Sequence, residues 1–135
     1  MTHVLFACVH NAGRSQMAAA FFNAMADADR ARAISAGTAP ADRVHPEVVT
    51  VMREVGIDLA GATPQKLTAE LAQRAALLVT MGCGDACPYV PGVRRVDWPL
   101  DDPKDETLDR VRAIRDEIRD RVAALVAREG WSAAR

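Results

Sequence analysis

The sequence predicts an α/β fold of one domain in three layers, a central four-stranded parallel sheet with helices on both faces. Three observations carry this. Four short apolar segments alternate along the chain with segments of helical character, the pattern of successive βαβ units. The clearest of these segments are continuously apolar rather than alternating, as parallel strands buried on both faces must be. A length of 135 residues suits one domain with a real hydrophobic core.

The elements follow in order. Residues 3–9 form an apolar run ending at Cys8-Val9, punctuated by Asn11, Gly13 and Ser15. Met17 to Ala26 is rich in Ala, Phe and Met and reads as a mostly buried helix. Ala31 to Ala36 is a second strand, stopped by Gly37. Pro46 opens a helix to Val55, because proline suits the first helical turn, and Gly56 stops it. Thr68 can cap a short helix running to Arg74. Ala75 to Met81 is a third strand and Val93 to Trp98 a fourth, shorter one. From Thr107 to Glu129, the apolar residues Leu108, Val111, Ile114, Ile118, Val122 and Leu125 recur at steps of three and four. That spacing lays one stripe of a helix on a sheet and leaves Arg, Asp and Glu on its other faces.

Half of the residues are hydrophobic and the net charge is −1, which gives no support for a nucleic-acid surface. No segment approaches the length of a membrane span, and the start lacks a basic leader, so the expectation is a cytoplasmic chain. The three cysteines, Cys8, Cys83 and Cys87, are an odd number for a disulfide framework. They point to reactive thiols, metal ligands or buried thiols. Open parallel sheets bind ligands at the carboxyl ends of their strands. Cys8 follows the first strand and Cys83 the third, so both belong to that edge.

Cys8-Val9-His10-Asn11-Ala12-Gly13-Arg14-Ser15 sets five residues between a cysteine and an arginine. The spacing alone is a weak signal; its place between a buried strand and a helix start gives it weight. Such a turn wraps the N–H groups of Val9, His10, Asn11, Ala12, Gly13, Arg14 and Ser15 around an anion and aims the helix N-terminus at it. The same field favours a thiolate at Cys8. Arg14 offers a planar fork of donors, Ser15 a hydroxyl to the sulfur, and Asn11 a residue that tolerates a left-handed conformation.

With its continuation Gln16-Met17-Ala18, this loop resembles the phosphate loop of the low-molecular-weight protein tyrosine phosphatase superfamily, in its arsenate reductase branch. Ser35-Ala36-Gly37-Thr38 is similar to the turn after that family's second strand. Asp97-Trp98-Pro99-Leu100-Asp101-Asp102-Pro103 resembles its Asp-Pro loop. Val79-Thr80-Met81 precedes the pair Cys83 and Cys87, which is more closely spaced than in thioredoxin-coupled members and looks like the form in actinobacterial relatives that use mycothiol.

The resemblance implies one phosphatase-like catalytic domain over residues 1–135 that reduces arsenate to arsenite. Cys8 would attack arsenate held by the loop and Arg14. Asp102 would serve as general acid, with Asp101 the runner-up, and Cys83 and Cys87 would relay the electrons. It further implies an external thiol reductant, thioredoxin or mycothiol with mycoredoxin, and no tightly bound cofactor. A potassium ion near Asn11 and Ser35 would be the sole metal. Arsenate and the reductant are the expected partners, without nucleic acid or membrane, and nothing demands more than a monomer. The rival readings are a phosphatase for phosphotyrosine or a small phosphate ester, and a non-catalytic oxyanion or redox sensor. A phosphatase would prefer aromatic walls, for which Tyr89 and Trp98 are the residues placed near the site.

Overall fold

The computed structural model describes residues 1–82 and 90–133. Cys83, Cys87 and Tyr89 lie outside the described residues. Four strands, β1 (Thr2–Cys8), β2 (Ala31–Gly37), β3 (Leu77–Thr80) and β4 (Arg94–Asp97), form one sheet in the order β2-β1-β3-β4. All three pairings are parallel. The helices are α1 (Arg14–Met25), α2 (Pro46–Arg53), α3 (Ala69–Arg74) and α4 (Leu108–Glu129).

The register decides where chemistry can occur. Cys8 pairs with Gly37, Ala7 with Thr80, and Thr80 with Asp97. The carboxyl ends of all four strands therefore meet at one edge. The chain first steps from β1 to β2 and later returns to the other side of β1 as β3. Strand order thus reverses beside β1, and the crevice of an open α/β sheet lies at such a reversal.

Successive residues of a strand face opposite sides. Val4, Phe6 and Cys8 join Leu77 and Val79 in a large core with α1, α2 and α4. Leu5, Ala7, Ala36 and Leu78 join a smaller core with Ala72 of α3. The sheet is therefore covered on both faces, as its continuously apolar strands require. Phe22 is fully buried, with its ring edge-on to Phe6 at 5.9 Å and to Trp131 at 5.7 Å. On α4, Val111, Ile114, Ile118, Val122 and Leu125 are buried, while Leu108, the first residue of the helix, stays 40% exposed. The Thr107 hydroxyl accepts from the Arg110 N–H, and Gly130 ends the helix with φ of 74°. Arg115 ties α4 to α2 through the Val51 carbonyl at 2.8 Å and Glu54 at 2.8 Å.

Two boundaries differ from expectation in an informative way. The first helix begins at Arg14, three residues before Met17. Arg14, Ser15 and Gln16 are polar and break the apolar pattern, yet all three are buried. The third strand is Leu77–Thr80, shorter than the apolar run around it, because Ala75 caps α3.

Truncating Phe22 removes a ring shared by the sheet, α1 and the C-terminal segment. Phe22→Ala is expected to lower the free energy of unfolding by about 3–5 kcal/mol, measured by urea denaturation followed by circular dichroism.

Candidate active site

The loop between β1 and α1 is held by its carbonyl groups. The carbonyls of Cys8, Val9 and His10 accept from the N–H groups of Thr38, Ala39 and Ala41 at 3.1, 2.8 and 2.9 Å. The Ala12 carbonyl accepts from His45 N–H at 2.9 Å, and that of Gly13 from Met17 N–H at 3.0 Å. The Asn11 carbonyl accepts from Gln16 Nε2 at 3.1 Å. Every carbonyl from Cys8 to Gly13 thus has a donor of its own. In a trans peptide the N–H points opposite to the C=O, so tying the oxygens outward turns the N–H groups toward the centre of the ring. Asn11 sits at φ of 50°, which closes the turn.

The sulfur of Cys8 lies inside this ring, and the residue is 2% exposed. The Asn11 N–H donates to Sγ at 3.3 Å. Ser15 Oγ is 2.8 Å from Sγ and accepts from Asn11 Nδ2 at 2.7 Å. Ser15 Oγ can therefore donate its proton to a Cys8 thiolate while it accepts from Asn11. Helix α1 starts without a side-chain cap and without an acidic residue in its first turn. Its positive end is therefore uncompensated and faces the loop.

Arg14 is 6% exposed. Its Nη1 donates to the Leu100 carbonyl at 3.1 Å, and Nη2 lies 3.6 Å from Asp102 Oδ2. Two neighbours make room for it. Gly82 has φ of +94°, and a methyl group there would overlap Arg14 Nη1. Gly13 approaches Pro103 so closely that an added Cβ would lie 2.7 Å from Pro103 Cγ. The loop after β4 therefore packs directly on the loop after β1 and brings Asp102 over it.

The two adjacent aspartates separate clearly. Asp102 Oδ1 accepts from the Lys104 N–H at 3.0 Å, while Oδ2 faces Arg14 and lies 3.9 Å from His10 Nδ1. Asp101 is turned outward and pairs with Arg110 on α4. His45, at the start of α2, closes the same side, with its ring centroid 6.5 Å from that of His10. Burial pushes the pKa of His45 below the ordinary histidine value, and the nearby Asp102 and Glu47 pull it back up only in part.

Of the residues singled out in the sequence, Cys8, Asn11, Arg14, Ser15 and Asp102 come together here. Trp98 does not; it is 7% exposed and packs 5.8 Å from the Phe6 ring, in the core rather than at the mouth of the site. Asp97-Trp98 leaves the sheet with its indole still on the core face. The side-chain oxygen of Asn11 accepts from Gln65 N–H at 2.9 Å and Gln16 Nε2 at 3.3 Å. Among the described residues no cluster of metal-ligating side chains occurs, and no helix is long and apolar enough to cross a membrane.

Residues 3–130 match the family model described as low molecular weight phosphotyrosine protein phosphatase. The chain belongs to this phosphatase family. A protein of Halobacterium salinarum with a provisional arsenate reductase name is 41% identical over 124 residues, which are 89% of this chain and 87% of its own. The glutaredoxin arsenate reductase of a Synechocystis strain is 34% identical, over 95% of this chain and 98% of its own. The thioredoxin-dependent arsenate reductase of Corynebacterium glutamicum superposes with a TM-score of 0.81 at 37% identity. That match covers 94% of this chain but 61% of the longer Corynebacterium chain. The fold expected from the sequence, a low-molecular-weight phosphatase-like α/β domain with a four-stranded parallel sheet, is the fold of these relatives.

Sequence reasoning missed four members of the phosphatase-family site. Gln16 and Gln65 hold Asn11, the Leu100 carbonyl holds Arg14, and Gly82 clears space for the guanidinium. Gln16 could have been found as a polar residue opening an apolar helix. Gly82 stands beside Cys83 in the sequence without a local mark of this role, and nothing local marks Gln65 or Leu100.

Gly82→Ala is expected to displace the Arg14 guanidinium without unfolding the chain. Affinity for phosphate or arsenate, measured by isothermal titration calorimetry, should fall at least tenfold, which is about 1.4 kcal/mol.

Proposed function

We propose that this chain is an arsenate reductase that uses Cys8 as its nucleophile. The observation that carries the reading is the cradle itself: a buried sulfur inside a ring of backbone donors, with Arg14 poised beside it. Such a ring fits a tetrahedral oxyanion, and the relatives aligned along nearly the whole chain carry arsenate reductase names. The core position of Trp98 removes one aromatic wall that an aryl phosphate would use, which favours a small inorganic substrate over phosphotyrosine.

In the first step the Cys8 thiolate attacks arsenic, an As–S bond forms, and an As–O bond breaks. The loop N–H groups of Val9, His10, Asn11, Ala12, Gly13, Arg14 and Ser15, with the Arg14 fork, hold the remaining oxygens. Asp102 gives a proton to the departing oxygen, which leaves as water. Its place over the loop favours it above Asp101, which is spent on Arg110. Ser15, donating to the sulfur, stabilises Cys8 both before attack and when it later departs from the relay.

In the second step the Cys83 thiol attacks the Cys8 sulfur. A disulfide forms, the As–S bond breaks, and arsenic keeps the electron pair and leaves as arsenite. Cys87 then attacks Cys83, which frees Cys8 and stores the two oxidising equivalents as a Cys83–Cys87 disulfide. An external thiol reductant restores the pair. The presence of both thiols in the chain, together with the thioredoxin dependence of the Corynebacterium relative, favours thioredoxin over mycothiol and mycoredoxin. The reaction belongs in a reducing compartment, in keeping with a cytoplasmic, monomeric enzyme.

Arsenate turnover tests this reading. Cys8→Ser should abolish arsenite formation with every reductant. Asp102→Asn should lower kcat by roughly 10²–10⁴-fold, the usual contribution of a general acid. Cys87→Ser should release about one arsenite per chain and then stall with thioredoxin, as a missing resolving thiol requires. Normal cycling of Cys87→Ser with thioredoxin would contradict the relay and favour the small-thiol route.

A further inference from the structure

His10 enters the proposed reaction only through its backbone N–H, yet its side chain is placed with unusual care. Its Nδ1 is the one buried side-chain polar atom without a hydrogen-bond partner among the described residues. A buried imidazole nitrogen left unpaired costs stability, so such an atom calls for an explanation. The nearest carboxylate oxygen in an ion-pair geometry is Asp102 Oδ2, 3.9 Å away. That is beyond a hydrogen bond but within reach of a small rotation.

The same oxygen is shared. Arg14 Nη2 lies 3.6 Å from Asp102 Oδ2, and Arg14 Nη1 is bonded to the Leu100 carbonyl. Resting Arg14 is thus turned partly toward the loop after β4. An oxyanion in the cradle would offer the guanidinium fork a bidentate pair, stronger than these contacts. Asp102 Oδ2 then loses its ion-pair partner, while Oδ1 keeps the Lys104 N–H.

We propose that His10 is a positioning residue for the general acid: its Nδ1–H takes over Asp102 Oδ2 when Arg14 turns to the bound oxyanion. This rests on the role proposed for Asp102 and extends it. With Lys104 N–H on one oxygen and His10 Nδ1–H on the other, the carboxyl plane is fixed over the leaving oxygen. The proton moves from Asp102 to that oxygen, and the carboxylate left behind is stabilised by both donors. The groups facing this pair are Arg14 from α1, His45 at the head of α2, on which Glu47 also acts, and Lys104 from the loop after β4. Burial disfavours the charged form of His45, which stands beside the pair.

The test measures arsenate turnover across pH for the unmodified chain, His10→Ala, His10→Asn, Asp102→Asn and the His10→Ala/Asp102→Asn pair. The reductant is whichever of the thioredoxin and mycoredoxin systems sustains the unmodified chain. His10→Ala should lower kcat about tenfold, a change of about 1.4 kcal/mol, and leave KM for arsenate within about twofold, since it acts on the transition state. Removing a donor to the carboxylate favours its protonated form, so the basic limb of the kcat profile should move to higher pH. His10→Asn, whose amide can donate from the same place, should recover most of the rate and return the limb. In the Asp102→Asn background His10→Ala should cost nothing further. An undiminished kcat for His10→Ala, an unmoved limb, or an equal loss in the Asp102→Asn background would overturn the proposal. Absence of arsenite from the unmodified chain would instead overturn the reductase reading on which it stands.

Discussion

The site depends on one constraint: the carbonyl oxygens of residues 8–13 are all tied outward. Each takes a donor from outside the ring, from the turn after β2, from His45 at the head of α2, from the first turn of α1, or from Gln16. Backbone polarity then has a single arrangement left, with the N–H groups facing in. An anion site built this way needs few charged side chains. Arg14 adds the fork, and the uncapped start of α1 adds a partial positive charge. The register that sets Cys8 beside Gly37 serves the same end, since it delivers the N–H groups of Thr38, Ala39 and Ala41 to the loop carbonyls.

A second consequence is that the two halves of the site are coupled by packing as much as by charge. Gly13 has no side chain, and Pro103 fills the space where one would be. Leu100 offers its carbonyl to the guanidinium two residues before Asp102 approaches it. A displacement of the loop after β4 would therefore reach Arg14 and the cradle together. Arg14, buried and positively charged, is held by a carbonyl and a carboxylate, which keeps a desolvated cation from standing alone.

Much of this was legible in the sequence. The continuous apolar strands gave the buried parallel sheet, and the spacing along α4 gave its core face. Cys8 and Arg14 could be read because their spacing fell between a strand and a helix. The parts that could not be read depend on distant pairings. The burial of Arg14, Ser15 and Gln16 contradicts their polarity, and only the loop they support explains it. Trp98 could be assigned to the neighbourhood of Asp102 by proximity in sequence, but the side of the sheet it faces is set by register, a tertiary property. The gap at Gly82 is defined by a guanidinium that starts at residue 14, and the orphan nitrogen of His10 by a carboxylate at residue 102.

The most direct test of the cradle is the reactivity of Cys8 toward iodoacetamide at neutral pH, followed by mass spectrometry of the intact chain and its peptides. Cys8 should be alkylated in the free protein and protected by millimolar arsenate or phosphate, and protection should be lost in Arg14→Ala. Alkylation of Cys8 at the same rate with and without either oxyanion would contradict an anion bound over the sulfur.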